Sequence, residues 1–453
     1  MSEDSERAKP PADPSYDEEF DAIVVGAGPA GSASALTMAQ AGLDVIMIER
    51  GAYPGAKNVF GGVLYTPTIR ELTDIDDAPL ERYVGEKRFG MLSPEDETAV
   101  SIKPNQWHQE PHNDSYTVLR GDFDEWFAEQ AVEAGTTLIT ETTVTDLIRE
   151  DGRIVGVDTD RPDGELRAPM VVLAEGGNSL VAEGADLKDK SPREDVAVAV
   201  KEVIEFPGNG NEIEERFRLT DESGAAYHYF GDGAVGDSFG GAFIYTNDDT
   251  VSIGLAYRIE DAVTTQAKPE ETLNQFKSHP AVAPLVRGGR TVEYSAKTIP
   301  EGGADAIPDL VHDGAVLVGD TAGLVLNNGV HLEGTNMAVE SGYHAGNAII
   351  TALANDRTDP NALMEYPQNL EDSFVVKNLE RYEWLMETAV EDKDLLFRDL
   401  PRAIADASEE YFTIDREPKA EHAEDAKDRI LQTVGGWRGA AKLAWRYRKV
   451  MTS

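Results

Sequence analysis

Three glycines and one acid near the N-terminus have the types and spacing to hold a dinucleotide. Gly26, Gly28 and Gly31 form a Gly-x-Gly-x-x-Gly run that includes Pro29 and Ala30, and Glu49 closes the next apolar segment. Gly26 permits a tight turn, Gly28 lets the backbone approach a pyrophosphate, and Gly31 lets a helix pack close to a strand. The helix start offers unpaired N–H groups to phosphate, and an acid ending the second strand accepts from ribose hydroxyls. The elements that must position these residues are legible around them: residues 20–25 as a buried strand, 32–41 as a small-residue helix and 44–48 as a second strand. Spacing alone decides nothing. Residues 231–236 repeat it, but the following Asp237-Ser238-Phe239-Gly240-Gly241 favours turns, so this copy is expected to be a loop.

The chain of 453 residues carries 84 acidic against 41 basic side chains, a formal net charge of -43. Its length suits roughly two to four domain-sized units. Such a charge repels nucleic acid and anionic membrane over most of the surface, so no nucleic-acid partner is expected. With 41% hydrophobic residues and clear patterning, the composition does not read as disorder. It reads as adaptation to molar salt, where a Debye length of about 3 Å screens self-repulsion. The thermal midpoint should therefore fall on dialysis from molar salt into dilute buffer, and an unchanged midpoint would refute halophily.

Cysteine is absent, which excludes disulfides, thiolate metal sites and a Cys-ligated iron–sulfur cluster in this chain. His108 and His112 flank a turn-like stretch and read as surface side chains, so no metal site is expected. No signal peptide is visible in the acidic, Pro-rich residues 1–19, and no uncharged run reaches the roughly 20 residues that span a bilayer. The expectation is a cytoplasmic protein, soluble or peripheral on the inner face of the cell membrane.

Residues 51–113 are mixed and read as loop-rich. Order resumes with a strand at 117–120, and an amphipathic helix follows Arg120. Residues 137–148 and 153–159 alternate like strands, joined by the tight turn Glu150-Asp151-Gly152. From 195 to 299 the pattern is strand-rich and suggests a largely antiparallel sheet. The expected division is an acidic lead-in (1–19), a discontinuous nucleotide domain (20–194 and 300–360), an inserted sheet domain on the substrate or quinone side (195–299) and a helical C-terminal region (361–453). Three strand-to-loop elements, at 26–31, 175–179 and 319–323, converge. With Arg120 between the first two, they fit a flavin held in extended form within an α/β fold.

Further runs are Asn58-Val59-Phe60-Gly61-Gly62-Val63-Leu64-Tyr65, Leu119-Arg120-Gly121-Asp122-Phe123-Asp124-Glu125-Trp126, Ile299-Pro300-Glu301-Gly302-Gly303 and Leu326-Asn327-Asn328-Gly329-Val330-His331-Leu332-Glu333-Gly334-Thr335-Asn336. Through them residues 20–372 resemble the glutathione-reductase-type FAD flavoproteins. Within these the chain resembles the electron-transfer-flavoprotein:quinone oxidoreductase family, in its FixC branch, part of a wider superfamily that includes geranylgeranyl reductases. The resemblance implies non-covalent FAD, with Gly26, Gly28 and Gly31 at the pyrophosphate, Glu49 at the adenosine ribose, and Arg50 and Val144 beside adenine. It further implies Arg120 near the phosphates, Asp320 after Gly319 at the ribityl or pyrophosphate, and Gly329 and Val330 at the flavin ring. Gly61 and Gly62 would let a substrate approach that ring, and the helix beginning near Thr335 would point its positive end there. Glu175, before Gly176, stands where the family usually has Asp. Full-length members also carry a four-cysteine cluster domain, which this chain lacks, as the FixC branch does.

The resemblance implies electron transfer from reduced electron-transfer flavoprotein, through FAD, toward membrane quinone, with a separate ferredoxin-like iron–sulfur partner. The flavin carries the chemistry, and no catalytic acid–base triad is expected. Two alternatives stand beside it. A prenyl-lipid reductase would need an apolar tunnel, which Val200, Val203, Phe206, Tyr227, Tyr229 and Phe230 could line, although aromatics at strand spacing are more often core. A non-catalytic flavin-binding assembly subunit is the other. At the C-terminus Arg438, Lys442, Arg446, Arg448 and Lys449 interleave with Trp437, Trp445 and Tyr447. Such a segment can lie on an anionic bilayer, meet an acidic partner, or pack on the chain's own acidic body.

Overall fold

The computed structural model describes residues 20–58, 61–109, 111–207, 212–220, 223–329 and 331–448. The lead-in 1–19, Val59, Phe60, Val330 and Lys449 lie outside the described residues.

Short, mostly apolar runs build the first sheet. Its order is Val311–His312, Ala315–Leu317, Met170–Leu173, Ala22–Val25, Val45–Ile48, Thr137–Ile139. All neighbours are parallel except the outermost pair, Val311–His312 with Ala315–Leu317. Ala22–Val25, Val45–Ile48 and Met170–Leu173 are buried along their length, as expected of parallel strands covered on both faces. Helices Pro29–Gln40 and Thr335–Leu353 pack together through small residues. A Cβ on Gly342 would lie 2.2 Å from the Ala30 carbonyl oxygen, and one on Gly346 2.9 Å from Thr37 Cβ. That closeness brings the N-termini of both helices to the carboxyl ends of the strands, where ligands bind in open α/β sheets.

The second large sheet has nine strands. Along its path run Arg290–Pro300, Val196–Glu205, Thr250–Arg258, Gly240–Thr246, Ser223–Phe230, Tyr83–Leu92, Ser115–Leu119 and Gly61–Tyr65, with Glu97–Ile102 paired to Tyr83–Leu92. Only Ser223–Phe230 with Tyr83–Leu92 is parallel. Four of its strands come from residues 61–119. The loop-rich reading of 51–113 is corrected here, because Glu86, Lys87 and Arg88 interrupt the apolar alternation of a ten-residue strand. Residues 137–148 form two strands, Thr137–Ile139 and Val144–Glu150, broken where Glu141 takes a positive φ. The Asp151-Gly152 turn has both φ values positive, which suits the twist of the hairpin it closes. The second glycine fingerprint is not wholly loop: it holds one helical turn, Asp232–Val235, between Gly231 and Gly236, both at positive φ.

From residue 365 the chain is helical: Glu365–Asp372, Phe374–Glu391, Leu400–Phe412, Lys419–Thr433 and Gly436–Arg446. Among the described residues no helix is long and apolar enough to cross a membrane.

Candidate functional site

A cavity of about 410 Å³ runs from the first glycine loop, past the N-terminus of Thr335–Leu353, to the underside of the nine-stranded sheet. At its first end, Gly26 at φ +101° packs so that a Cβ would sit 2.4 Å from the Ala174 carbonyl oxygen, and one on Gly31 would sit 1.9 Å from that of Gly26. Around Gly28, by contrast, a Cβ would meet nothing within 4 Å, and the helix it opens has no side-chain cap. The turn is closed tightly from behind and left open in front. Pro29, Ala30, Arg50 and Val144 line the cavity beside it.

Glu49 braces this loop. Its Oε2 accepts from the Ala27 N–H at 3.1 Å and its Oε1 from the Gly51 N–H at 2.6 Å, which leaves one acceptor site on each oxygen for ribose hydroxyls. Glu175 lines the cavity but points its carboxylate at the chain, accepting from the N–H groups of Val181 at 2.8 Å and Ala182 at 2.9 Å. The extra methylene relative to Asp thus caps helix Leu180–Gly184, and burial raises the Glu175 pKa. Gly176 donates its N–H to Thr321 Oγ1 at 3.0 Å, tying the second loop to the third.

Arg120 opens helix Arg120–Glu133. Its Nε and Nη2 donate to Asp124 at 2.6 and 2.9 Å, and its Nη1 donates to Thr335 Oγ1 at 3.1 Å. Burial works against its charge, but Asp124 and then Asp320 more than offset that and hold the proton more tightly. Gly319 does not line the cavity. It seats the third loop on the first helix, where a Cβ would sit 2.8 Å from Ala30 Cβ, and so presents Asp320 to the cavity. The helix Thr335–Leu353 likewise has no side-chain cap, and Gly334 and Thr335 line the cavity at its start. Gly329, at φ +80°, lines the far side.

Gly61 and Gly62 require correction. Neither is among the cavity-lining residues, and a Cβ on Gly61 would fall 1.5 Å from Ser252 Oγ. Glycine at 61 lets two strands pack; it does not admit a substrate.

Several residues of the wall were not anticipated. Lys201 is buried, lies over the Phe243 ring at 5.6 Å, and has its pKa pushed well down by burial and by Lys297 and Arg120. Lys297 approaches Asp320 at 4.0 Å. The signal was present: Lys201 and Glu202 interrupt the otherwise apolar residues 196–204 of the strand Val196–Glu205. Glu301, hydrogen-bonded to Asn327, is pushed up to about 7 by burial. Tyr65, His228, His331 and Glu333 meet at one side, while Phe239 and Phe397, 5.0 Å apart, and Met386 close the far end. Of the six residues considered for an apolar tunnel, only Tyr229 and Phe230 line the cavity. Val200 and Tyr227 belong to the sheet's core, Val203 is buried, and Phe206 sits under Arg216.

An open glycine turn, two uncapped helix N-termini, a ribose-competent acid and a buried arginine between them fit an extended FAD. That arrangement defines an FAD-dependent oxidoreductase. The family model described as FAD dependent oxidoreductase matches residues 21–202, ETF-QO, ubiquinone-binding matches 209–299, and ETF-QO/FixC family C-terminal domain matches 386–452. Protein FixC of Bradyrhizobium diazoefficiens is 40% identical, over 96% of this chain and 99% of that one. The probable electron transfer flavoprotein-quinone oxidoreductase YdiS of Escherichia coli is 39% identical, over 89% and 92%. A geranylgeranyl bacteriochlorophyll reductase-like protein from Thermoplasma acidophilum shares the fold, with a TM-score of 0.68 at 19% identity over 96% of this chain and 98% of that one. The chain belongs to the ETF-QO/FixC family.

Proposed function

We propose that this protein receives electrons from reduced electron-transfer flavoprotein and passes them through FAD to a membrane quinone, working with a separate ferredoxin-like iron–sulfur protein. The observation that carries this reading is one cavity joining the dinucleotide loops to a wall built partly by residues 209–299, the span matched by the quinone-binding family model. Bound FAD supplies the two-electron chemistry, and the protein supplies binding, orientation and electrostatics. Gly28, Glu49 and Arg120 would hold its phosphate and ribose groups. Arg120 and Lys297 place positive charge along the wall, and the Thr335–Leu353 N-terminus adds its dipole, all favouring a reduced, anionic ring. The test is anaerobic and in molar salt: the flavin is reduced by light and its absorbance followed as a short-chain menaquinone analogue is added. Fast reoxidation at micromolar quinone is the expected result, and none would refute the acceptor.

The carboxyl-terminal helix Gly436–Arg446 is assigned to membrane contact in the same reading. Trp437 and Trp445 are 73% and 65% exposed, while Arg446 pairs with Asp392 at 3.1 Å and Tyr447 Oη donates to the Asp392 carboxylate at 3.1 Å. One side of the helix is thus anchored to the body and two tryptophans are left outward. Trp437→Ala with Trp445→Ala should reduce cosedimentation with anionic vesicles severalfold without changing the thermal midpoint. Equal cosedimentation would remove the assignment.

A further inference from the structure

The strand Val196–Glu205 carries different chemistry on its two faces. On one, Val200 packs into the sheet's apolar core, and Glu202 accepts from Lys277 at 2.5 Å and Thr291 at 2.8 Å. On the other, Ala199 and Lys201 line the cavity that holds the dinucleotide loops. A glycine makes the room for this lysine. Gly254 stands opposite Lys201 on one side and opposite Phe243 on the other, and a Cβ there would fall 2.8 Å from Lys201 Cγ and 2.6 Å from Phe243 Cζ. The lysine stem and the aromatic ring share the space that Gly254 leaves, with Nζ 5.6 Å from the ring centre.

Charged groups reach Lys201 from three further elements. Lys297, on Arg290–Pro300, is in register with Ala199 and so stands diagonally across from Lys201. Arg120 begins helix Arg120–Glu133, and Asp320 belongs to the third loop. Lys297 and Arg120 oppose a charge on Lys201, whereas Asp320 supports one. Asp320 also lies 4.0 Å from Lys297 and favours the charge on Arg120, so its pull is shared among three basic side chains. Lys201 is only 8% exposed, and burial disfavours the charged form of an amine. Burial first, then the two cations, push its pKa well below the ordinary lysine value.

An amine held uncharged beside cations gains a proton most readily when negative charge arrives close by. Reduction of FAD supplies such a charge, since two electrons with one proton leave the ring anionic. A wall that excludes water transmits that charge more strongly than bulk solvent does. We propose that Lys201 is a redox-linked proton site, uncharged while bound FAD is oxidised and binding one proton from solvent when the FAD is reduced. This role needs bound FAD alone, whatever donor or acceptor is used. In total two electrons enter with two protons. One proton stays with the ring, and the other forms an N–H bond at Lys201 Nζ and leaves again on reoxidation. Solvent reaches this wall, because the Lys297 side chain is 36% exposed. Reduction then adds no charge to a chain whose formal net charge is already -43.

The test is the midpoint potential of the flavin in the holoprotein, measured anaerobically in molar salt as pH is varied. Each proton bound with the two electrons changes the reduction constant tenfold per pH unit, about 30 mV for a two-electron couple. Between about pH 7 and 9 wild type should show the slope of two protons, about 60 mV per unit, and Lys201→Met that of one. The potential of Lys201→Met should fall below wild type at the acid end, and the two should converge as pH rises. Lys297→Met removes a neighbouring cation and should keep the two-proton slope. A lysine that merely packs its stem against Phe243 would leave the slope unchanged on substitution. Visible absorbance shows that each variant folds and holds FAD, and Lys201→Gln serves where Lys201→Met does not. A one-proton slope in wild type would overturn the proposal outright, with no variant needed. Equal slopes in wild type and Lys201→Met would overturn it too. One proton in Lys297→Met with two in Lys201→Met would move the site to Lys297 and overturn it as well.

Discussion

Arg120→Ala is expected to cost about 3–5 kcal/mol of stability and to empty the flavin site, because it strands a buried carboxylate. Asp124 has a fully buried side chain, and two of the three hydrogen bonds made by Arg120 go to it. Among the described residues the remaining side-chain donor to Asp124 is Asn58 Nδ2, at 3.2 Å, which cannot neutralise the charge. The double variant Arg120→Ala with Asp124→Ala should recover most of the stability, since no charge is then left unpaired. It should not recover flavin, since the third bond of Arg120, to Thr335, ties helix Arg120–Glu133 to the start of Thr335–Leu353 across the cavity. Thermal unfolding with visible absorbance on all three proteins measures both quantities. Additive losses in the double variant would show that Asp124 is not the reason.

Glu301 should make the protein less stable as pH rises from about 5 to 8. Its carboxyl is pushed up to about 7 from the ordinary 4.5 by burial, against the opposing Asn327 hydrogen bond and Arg258 charge. The folded state therefore binds the proton more tightly than the unfolded chain. Its contribution is fully present below the unfolded value and is lost as pH climbs through the folded one. At 1.36 kcal/mol per pH unit, a carboxyl moved from 4.5 to about 7 loses slightly over 3 kcal/mol in full, and solvent screening in the cavity reduces this to about 2–3 kcal/mol. Glu301→Gln keeps the shape without the titration, so the variant should be the more stable protein at pH 8 and should lose this part of the slope. Parallel stability profiles for the two proteins would refute the assignment.

The nucleotide end of the site was legible because it is local. Gly26, Gly28, Gly31 and Glu49 fall within one strand–helix–strand unit, and each has a backbone or hydrogen-bonding task that its residue type announces. Glu175 was legible as an acid in a loop but not as a helix cap, since that role depends on where residues 180–182 turn. Gly61 misled for the same reason: the space beside it is filled by Ser252, nearly two hundred residues away in the chain.

The strand Tyr83–Leu92 was hidden because its charges serve tertiary neighbours. Lys87 bonds Tyr65, Glu86 pairs with Lys103 at 2.6 Å, and Arg88 pairs with Glu97 at 2.8 Å. A strand written to meet a cavity and flanking charges loses the period of two on which sequence reading depends.

By itself the sequence determined the dinucleotide loop, the absence of any cysteine-ligated cluster in this chain, the mixed α/β architecture and the family, because short-range spacing and composition carry all four. Tertiary structure alone decided that 61–119 joins the large sheet, that Lys201, Lys297 and Asp320 share one wall, and that Tyr65 meets His331. Those pairings come from strands and loops far apart in the chain, so their chemistry exists only once the two sheets close over a common cavity.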